Sequence, residues 1–157
     1  MVGFDREPVI IQGGNRMFTI AKRTDYGLMA LSYLAEQEED EAITSRAIAE
    51  RFCIPAELLA KTMQLLARSE LVESRNGPKG GYVLSRRPES ISVAEVIRAI
   101  EGPIAMATCQ IGDATGCEQY EKCTIFYPME RIQKKVTDVL EGMTLQDMVG
   151  TPAGEIR

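Results

Sequence analysis

Apolar residues recur at three- and four-residue spacing in several separate stretches, each closed by a break. Over Lys22–Ala35 the stripe is Tyr26, Met29, Ala30, Tyr33 and Leu34, which predicts a helix capped by Thr24 or Asp25. The acidic run 36–41 reads as a solvated loop. Thr44 or Ser45 then offers an N-cap for a short helix through Phe52, with Ala47, Ile48 and Phe52 inward. Cys53-Ile54-Pro55 breaks it. Pro55 suits the first position of a next helix, where a missing N–H does no harm. That helix runs to Ser69 with Leu58, Leu59, Met63 and Leu66 toward the core. The period then changes to two: residues 71–75 alternate as a strand, 76–81 turn, and 82–85 return as a second strand. Residues 91–100 are amphipathic again, with Ser92 and Glu95 spaced as a capping box and Gly102-Pro103 as the stop. Residues 107–124 have no period. Ile125, Met129, Ile132, Val136, Val139 and Met143 follow at 4-3-4-3-4 spacing, a narrow heptad-like seam, and 144–148 reads as a short last helix.

Two short helices joined by a tight turn have the helix-turn-helix pattern, and a β-hairpin directly after them reads as a wing. The expected fold is mainly α with a small β-hairpin: a winged helix-turn-helix domain plus a long C-terminal dimerisation helix. The partner implied is double-stranded DNA. On the second helix Glu57, Lys61 and Gln64 face outward and Ala56 is small enough for close approach. A carboxylate accepts from a cytosine amino group, and an ammonium reaches a guanine edge or a phosphate. Arg75, Asn76 and Lys79 stand at the wing. Two plain core helices with an exposed hairpin are the alternative. The seam of 125–143 implies a homodimer, with packing back on the same domain as its alternative. The divisions read are an extension over 1–16 without assigned function, a DNA-binding domain over 17–103, a cysteine-rich loop over 104–124, and a dimerisation helix and tail over 125–157.

Charge sharpens the picture. The net charge of −5 argues mildly against a polyanionic partner, but residues 44–87 carry eight Lys and Arg against four Asp and Glu. From 101 onward five bases face nine acids. One part of the chain is built to meet a polyanion. No apolar run reaches the roughly 18 residues of a membrane span, and no secretory leader is recognisable, so a cytoplasmic protein without a membrane partner is expected.

Four cysteines and no histidine limit the chemistry. Cys109, Cys117 and Cys123 are spaced C-x7-C-x5-C, while Cys53 stands alone. Clustered cysteines without a secretory context favour metal ligation over disulfides. Zinc sites favour close pairs completed by Cys or His, which this loop lacks. The spacing leaves an iron–sulfur cluster, zinc, and reactive or structural thiols open. Without histidine no Ser-His or Cys-His pair exists, and Gly77-Pro78-Lys79-Gly80-Gly81 is too short for a phosphate-binding loop, so no enzyme is expected.

Particular motifs carry a resemblance. They are Lys22-Arg23-Thr24-Asp25-Tyr26-Gly27-Leu28, Ile48-Ala49 through Leu66-Ala67, Leu71-Val72-Glu73-Ser74, Gly77-Pro78-Lys79-Gly80-Gly81-Tyr82 and Ile91-Ser92-Val93. Glu101-Gly102-Pro103-Ile104, the three cysteines and Thr144-Leu145-Gln146-Asp147-Met148 complete the set. Over about 17–149 the chain resembles the IscR/NsrR family of bacterial winged-helix regulators, the Rrf-type regulators. That resemblance implies a dimeric repressor or other transcription regulator whose last long helix crosses to its partner. It also implies an iron–sulfur cluster (2Fe-2S or 4Fe-4S) held by Cys109, Cys117 and Cys123 near the partner's DNA-binding domain. Glu101-Gly102-Pro103-Ile104 looks most like the branch that regulates Suf-type cluster-assembly genes. Thr24-Asp25-Tyr26 is shared with the nitric-oxide-sensing branch, so a nitric-oxide or redox-sensing repressor is the alternative. An iron–sulfur electron carrier or scaffold is the alternative of another class, and it has no need of a wing.

The chain departs from the family at three places. The histidine that completes the cluster in the biogenesis branch is missing. Asp25 matches the aspartate of the nitric-oxide branch, which implies Asp25 of the partner subunit as fourth ligand; a plain helix cap is the other reading. Asn76 replaces the wing arginine, with Arg75 one step earlier. Cys53 replaces the turn glycine. Glycine tolerates positive φ and cysteine does not, so an altered turn with Cys53 as a packed small side chain is expected.

Overall fold

The computed structural model describes residues 19–38, 41–112 and 117–150. The extension read over 1–16 lies outside them. The elements in chain order are α1 (Lys22–Ala35), α2 (Ser45–Phe52), α3 (Ala56–Arg68), β1 (Val72–Arg75), β2 (Gly81–Leu84), α4 (Val93–Glu101), α5 (Phe126–Gly142) and α6 (Leu145–Met148). Among the described residues no helix is long and apolar enough to cross a membrane.

Helix α1 spans the expected residues but is capped differently. Its N-cap is Ala21, without a side-chain cap bond of its own. The unsatisfied amides of a first turn attract a negative group, and here Glu101 supplies it from the end of α4. Glu101 Oε1 accepts from the Ala21 amide at 3.0 Å and from the Thr24 hydroxyl. Thr24 is fully buried, and Asp25 turns to Lys22 at 3.2 Å; neither is the cap. The stripe is also rotated from the one expected. Gly27, Leu28, Ala30, Leu31 and Leu34 are buried, while Met29 is exposed and Tyr26 and Tyr33 are half-buried. The small residues set the contact: a Cβ on Gly27 would lie 2.5 Å from Ile100 Cδ1, so α1 buries its Thr24–Gly27 side against α4 and α3.

The Thr44 hydroxyl accepts from the Ala47 amide at 3.1 Å and starts α2. Cys53 ends it at φ 54°, ψ 39°, and its amide bonds back to Ala49 and Glu50. The turn therefore keeps left-handed geometry with a cysteine in it, and Cys53 is exposed rather than packed. Pro55 is the N-cap of α3 rather than its first residue. Leu59, Met63 and Leu66 are fully buried, with Leu58 only half-buried. Buried Thr62 donates to the Leu58 carbonyl at 2.9 Å, so its hydroxyl is satisfied.

Strands β1 and β2 pair antiparallel, Val72 with Leu84 through Arg75 with Gly81. Ile43 adds an isolated bridge to Tyr82: the Ile43 amide donates to Tyr82 O at 3.0 Å and the Tyr82 amide to Ile43 O at 2.8 Å. This ties the wing to the residue preceding the α2 cap. The bridge needs Gly81, where a Cβ would sit 2.4–2.7 Å from the backbone of Ile43 and Thr44.

Both halves of the capping box at α4 are present. The Glu95 amide donates to Ser92 Oγ at 3.2 Å, and the Ser92 amide to Glu95 Oε2 at 2.9 Å. Leu31, Ile48, Leu59, Leu66, Ile91 and Val96 form the fully buried centre. Fully buried Leu145 joins them, so the chain returns to the head after α5. Helix α5 buries no residue of its own. Ile125, Ile132, Val139 and Met143 of the expected seam are 42–62% exposed in the protomer.

Candidate nucleic-acid interface and cysteine loop

The outward face of α3 carries the side chains read from the sequence. Ala56, Glu57, Lys61 and Gln64 are all exposed. Residues 57, 61 and 64 stand four and three apart and share one face of the helix. Arg75 ends β1, 3.6 Å from Glu73, and Asn76 and Lys79 lie exposed in the turn beyond it. The Ile43–Tyr82 bridge fixes this wing relative to α2, and α2 packs on α3. Two more polar residues join the same surface. Ser45 and Arg46, in the first turn of α2, line a shallow groove of about 610 Å³ together with Cys53, Ala56, Glu57 and Ala60. Arg46 is held by Glu50 at 2.9 Å. The sequence offers Ser45 as a cap candidate and Arg46 as one of the basic residues of 44–87, but not their place on this surface. A convex helix with polar tips beside a basic hairpin suits a wide groove with phosphates at its edges.

On the cysteine loop, Cys109 lies in a 3₁₀ turn over Thr108–Gln110, and Cys123 directly follows a second over Tyr120–Lys122. The Tyr120 amide donates to Cys117 O at 3.0 Å and the Cys123 amide to Tyr120 O at 3.2 Å, so Cys117 and Cys123 bracket one short turn. All three thiols are free and half-buried. Gln110, beside Cys109, has a buried Nε2 with no hydrogen-bond partner. A buried N–H without an acceptor is costly, and an anionic sulfur centre is a fitting acceptor. Thiolates are also the donors that iron–sulfur clusters take. The donor chemistry therefore fits such a group. Among the described residues, however, no three Cys, Asp or Glu side chains are gathered closely enough to hold a metal ion. Asp25 lies in the first turn of α1, at a pocket of about 700 Å³ that Lys22, Ser32, Arg51, Phe52 and Met148 also line.

The loop is held at its base. Gln133 of α5 accepts the Met106 amide at 2.7 Å and donates to Ile104 O at 2.6 Å and to Thr137 Oγ1 at 3.0 Å. No periodicity marks such a residue, because its partners are loop backbone.

The comparisons with known proteins agree with this geometry. Residues 20–151 match the model of the Rrf2 family, described as an iron-dependent transcriptional regulator. The chain is 31% identical over 126 residues to the HTH-type transcriptional regulator NsrR of Bacillus licheniformis, covering 80% of this chain and 88% of that one. The structure of CymR, the global cysteine regulator of B. subtilis, superposes with a TM-score of 0.67 at 28% identity, over 84% of this chain and 96% of that one. T. potens IscR superposes with a TM-score of 0.64 at 27% identity, over 86% and 88%. A winged helix-turn-helix head, a wing in register behind α3 and a family match across most of the chain lead to one conclusion: this protein belongs to the Rrf2 family of transcriptional regulators and is not an enzyme.

Proposed function

We propose that this regulator is a homodimer that binds double-stranded DNA under the control of an iron–sulfur cluster on Cys109, Cys117 and Cys123, and that it acts on cluster-assembly genes. The observation that carries the reading is the set of three free, half-buried thiols on one irregular loop rooted between the head and α5. When bound, such a cluster supplies a labile, redox-active anionic centre. The loop over 104–124 rearranges to bring the three sulfurs together, and Gln110 Nε2 gains an acceptor. Asp25 of the partner subunit is the fourth ligand. A carboxylate is a hard donor, easily displaced from iron, which suits a sensor.

The exposed seam of α5 supports the dimer. Fully burying a side chain of this kind contributes about 1.5–3 kcal/mol, and Ile132, Val139 and Met143, about half exposed, leave part of that gain unused in the protomer. Paired α3 helices then meet half-sites about 34 Å apart. Glu57, Lys61 and Gln64 read base edges from Ala56 onward, while Arg75, Asn76 and Lys79 meet phosphates or the minor groove. The test is anaerobic purification with an absorption spectrum and iron and sulfide counts. Visible absorption with both elements bound is expected; a colourless protein that carries only zinc, or no metal, overturns the reading.

A second reading has its own support. The likeness to CymR, a global cysteine regulator, and the ungathered thiols favour a thiol sensor on the same fold. The same spectrum separates the two, because a thiol sensor is colourless.

A further inference from the structure

Helix α5 is fastened to the head at one end by backbone. The Val93 amide donates to Met143 O at 2.9 Å and the Leu145 amide to Ile91 O at 2.9 Å. Arg98 of α4 adds an ion pair to Glu141 at 2.5 Å. These contacts do not involve the cysteine loop. About 15 Å along the helix from Met143, at 1.5 Å per residue, a single side chain of α5 holds the base of the loop, while at the helix start Tyr120 packs edge-on against Phe126, ring centroids 5.3 Å apart. The Gln133 carboxamide offers its oxygen to the Met106 amide and its N–H₂ to Ile104 O, bonding two backbone groups at the loop base. It is half-buried, so water competes weakly for these bonds. Residue 106 is three positions before Cys109, and Glu101 at the other end of the same segment caps α1. The segment 101–106 thus joins the head, the cysteine loop and α5.

We propose that Gln133 is the positioning residue through which the state of the cysteine loop sets the angle of α5, and with it the spacing of the two heads. This rests on the cluster-gated reading above. Movement of Cys109 pulls on 104–106; the carboxamide passes that displacement to α5, which pivots on its pinned end near Met143. Among the described residues no other side-chain hydrogen bond joins 104–106 to α5, so removing the carboxamide cuts this link while leaving the thiols, the seam, the DNA-reading face and the path from Cys123 into α5 intact.

The experiment compares the full-length chain with Gln133→Leu, Gln133→Glu and Thr137→Val. Gln133→Leu keeps the volume and loses both loop bonds. Gln133→Glu keeps an acceptor for Met106 but has no donor for Ile104. Thr137→Val removes only the bond within α5. Two quantities are read. The first, in cluster-free protein, is hydrogen exchange at the Met106 amide: Gln133→Leu speeds it about tenfold or more and Thr137→Val does not. An amide already unprotected in the wild type overturns the clamp. The second is the ratio of DNA affinities between cluster-loaded and cluster-free protein, with cluster content checked by absorbance and dimer by sedimentation. A coupled wild type gives a ratio of roughly 5–150 in either direction. Gln133→Leu brings it to within about twofold of one, Gln133→Glu lies between, and Thr137→Val stays at the wild-type value. A Gln133→Leu dimer that loads its cluster and keeps the full ratio refutes the role of Gln133. Equal weakening of both states refutes it too, because that is a stability effect. A wild-type ratio of one instead refutes the cluster-gated reading itself.

Discussion

Gly81→Ala puts a methyl group where the structure has backbone. The new Cβ would lie 2.4 Å from Ile43 C, 2.6 Å from Ile43 O and 2.7 Å from Thr44 N. None of these atoms is the end of a flexible side chain, so the 43–44 segment must withdraw. Withdrawal breaks both bonds of the Ile43–Tyr82 bridge, at 3.0 and 2.8 Å. Two such bonds contribute together about 1–3 kcal/mol net. The backbone at φ +149° adds about 1 kcal/mol of strain for a residue with a side chain. A loss of about 2–4 kcal/mol follows, which lowers a urea midpoint by about 1–2 M at the slope of a small domain. Gly77→Ala is the control. Gly77 also has positive φ, +103°, but a Cβ there meets nothing within 4 Å, so only about 1 kcal/mol is lost. Urea denaturation of both variants, followed by far-ultraviolet circular dichroism, reads the difference. If Gly81→Ala is no less stable than Gly77→Ala, the wing is not held to α2 by this bridge.

Ser92→Ala removes half of the box at α4 and costs about 1 kcal/mol in the same assay. Burial works against the Glu95 charge, but bonds from the Ser92 backbone and Arg86 outweigh it and hold the carboxyl below its ordinary value of 4.5. Its contribution is therefore full above that value and is lost as pH falls through the lower folded one; Glu95→Gln flattens the acid limb of the stability–pH curve, and an unchanged limb contradicts the assignment. Lys79→Ala reduces the salt slope of DNA binding by about one unit, and Lys61→Ala relaxes sequence preference; a Lys79→Ala variant with wild-type affinity and slope is incompatible with a DNA-facing wing. Serine at Cys109, Cys117 or Cys123 abolishes visible absorption and Cys53→Ser leaves it intact, whereas a Cys117→Ser protein with full iron content removes Cys117 from the ligand set. Asp25→Ala shifts the spectrum or destabilises the cluster in an intact dimer; an untouched spectrum returns Asp25 to its ion pair with Lys22.

Periodicity made the helices, the hairpin and the Ser92–Glu95 box legible, because each is a local pattern that the head's core then reinforces. It misplaced what depends on partners distant in sequence. The buried face of α1 follows Thr24 and Gly27, small residues that a hydrophobic stripe does not count but that permit close approach to Ile100. The cap of α1 comes from Glu101, eighty residues away. Cys53 took the left-handed turn without glycine because the turn's backbone bonds to Ala49 and Glu50 hold it there. The outward residues of α3 were readable, since exposure on a helix follows from the positions of its buried ones. The groove-lining place of Ser45 and Arg46 and the clamp made by Gln133 were not, because they arise from the packing of α2 on α3 and of α5 on the loop base.

The proposed control of DNA binding by the cysteine loop has a direct readout. The direct measurement is operator affinity of one anaerobic preparation before and after its iron is removed by chelation, at fixed salt and under reducing conditions. A cluster-gated regulator changes affinity by at least about fivefold, equivalent to about 1 kcal/mol of coupling, and Cys109→Ser, Cys117→Ser and Cys123→Ser behave like the iron-free state. Equal affinity with and without iron, in a preparation that demonstrably held the cluster, contradicts it.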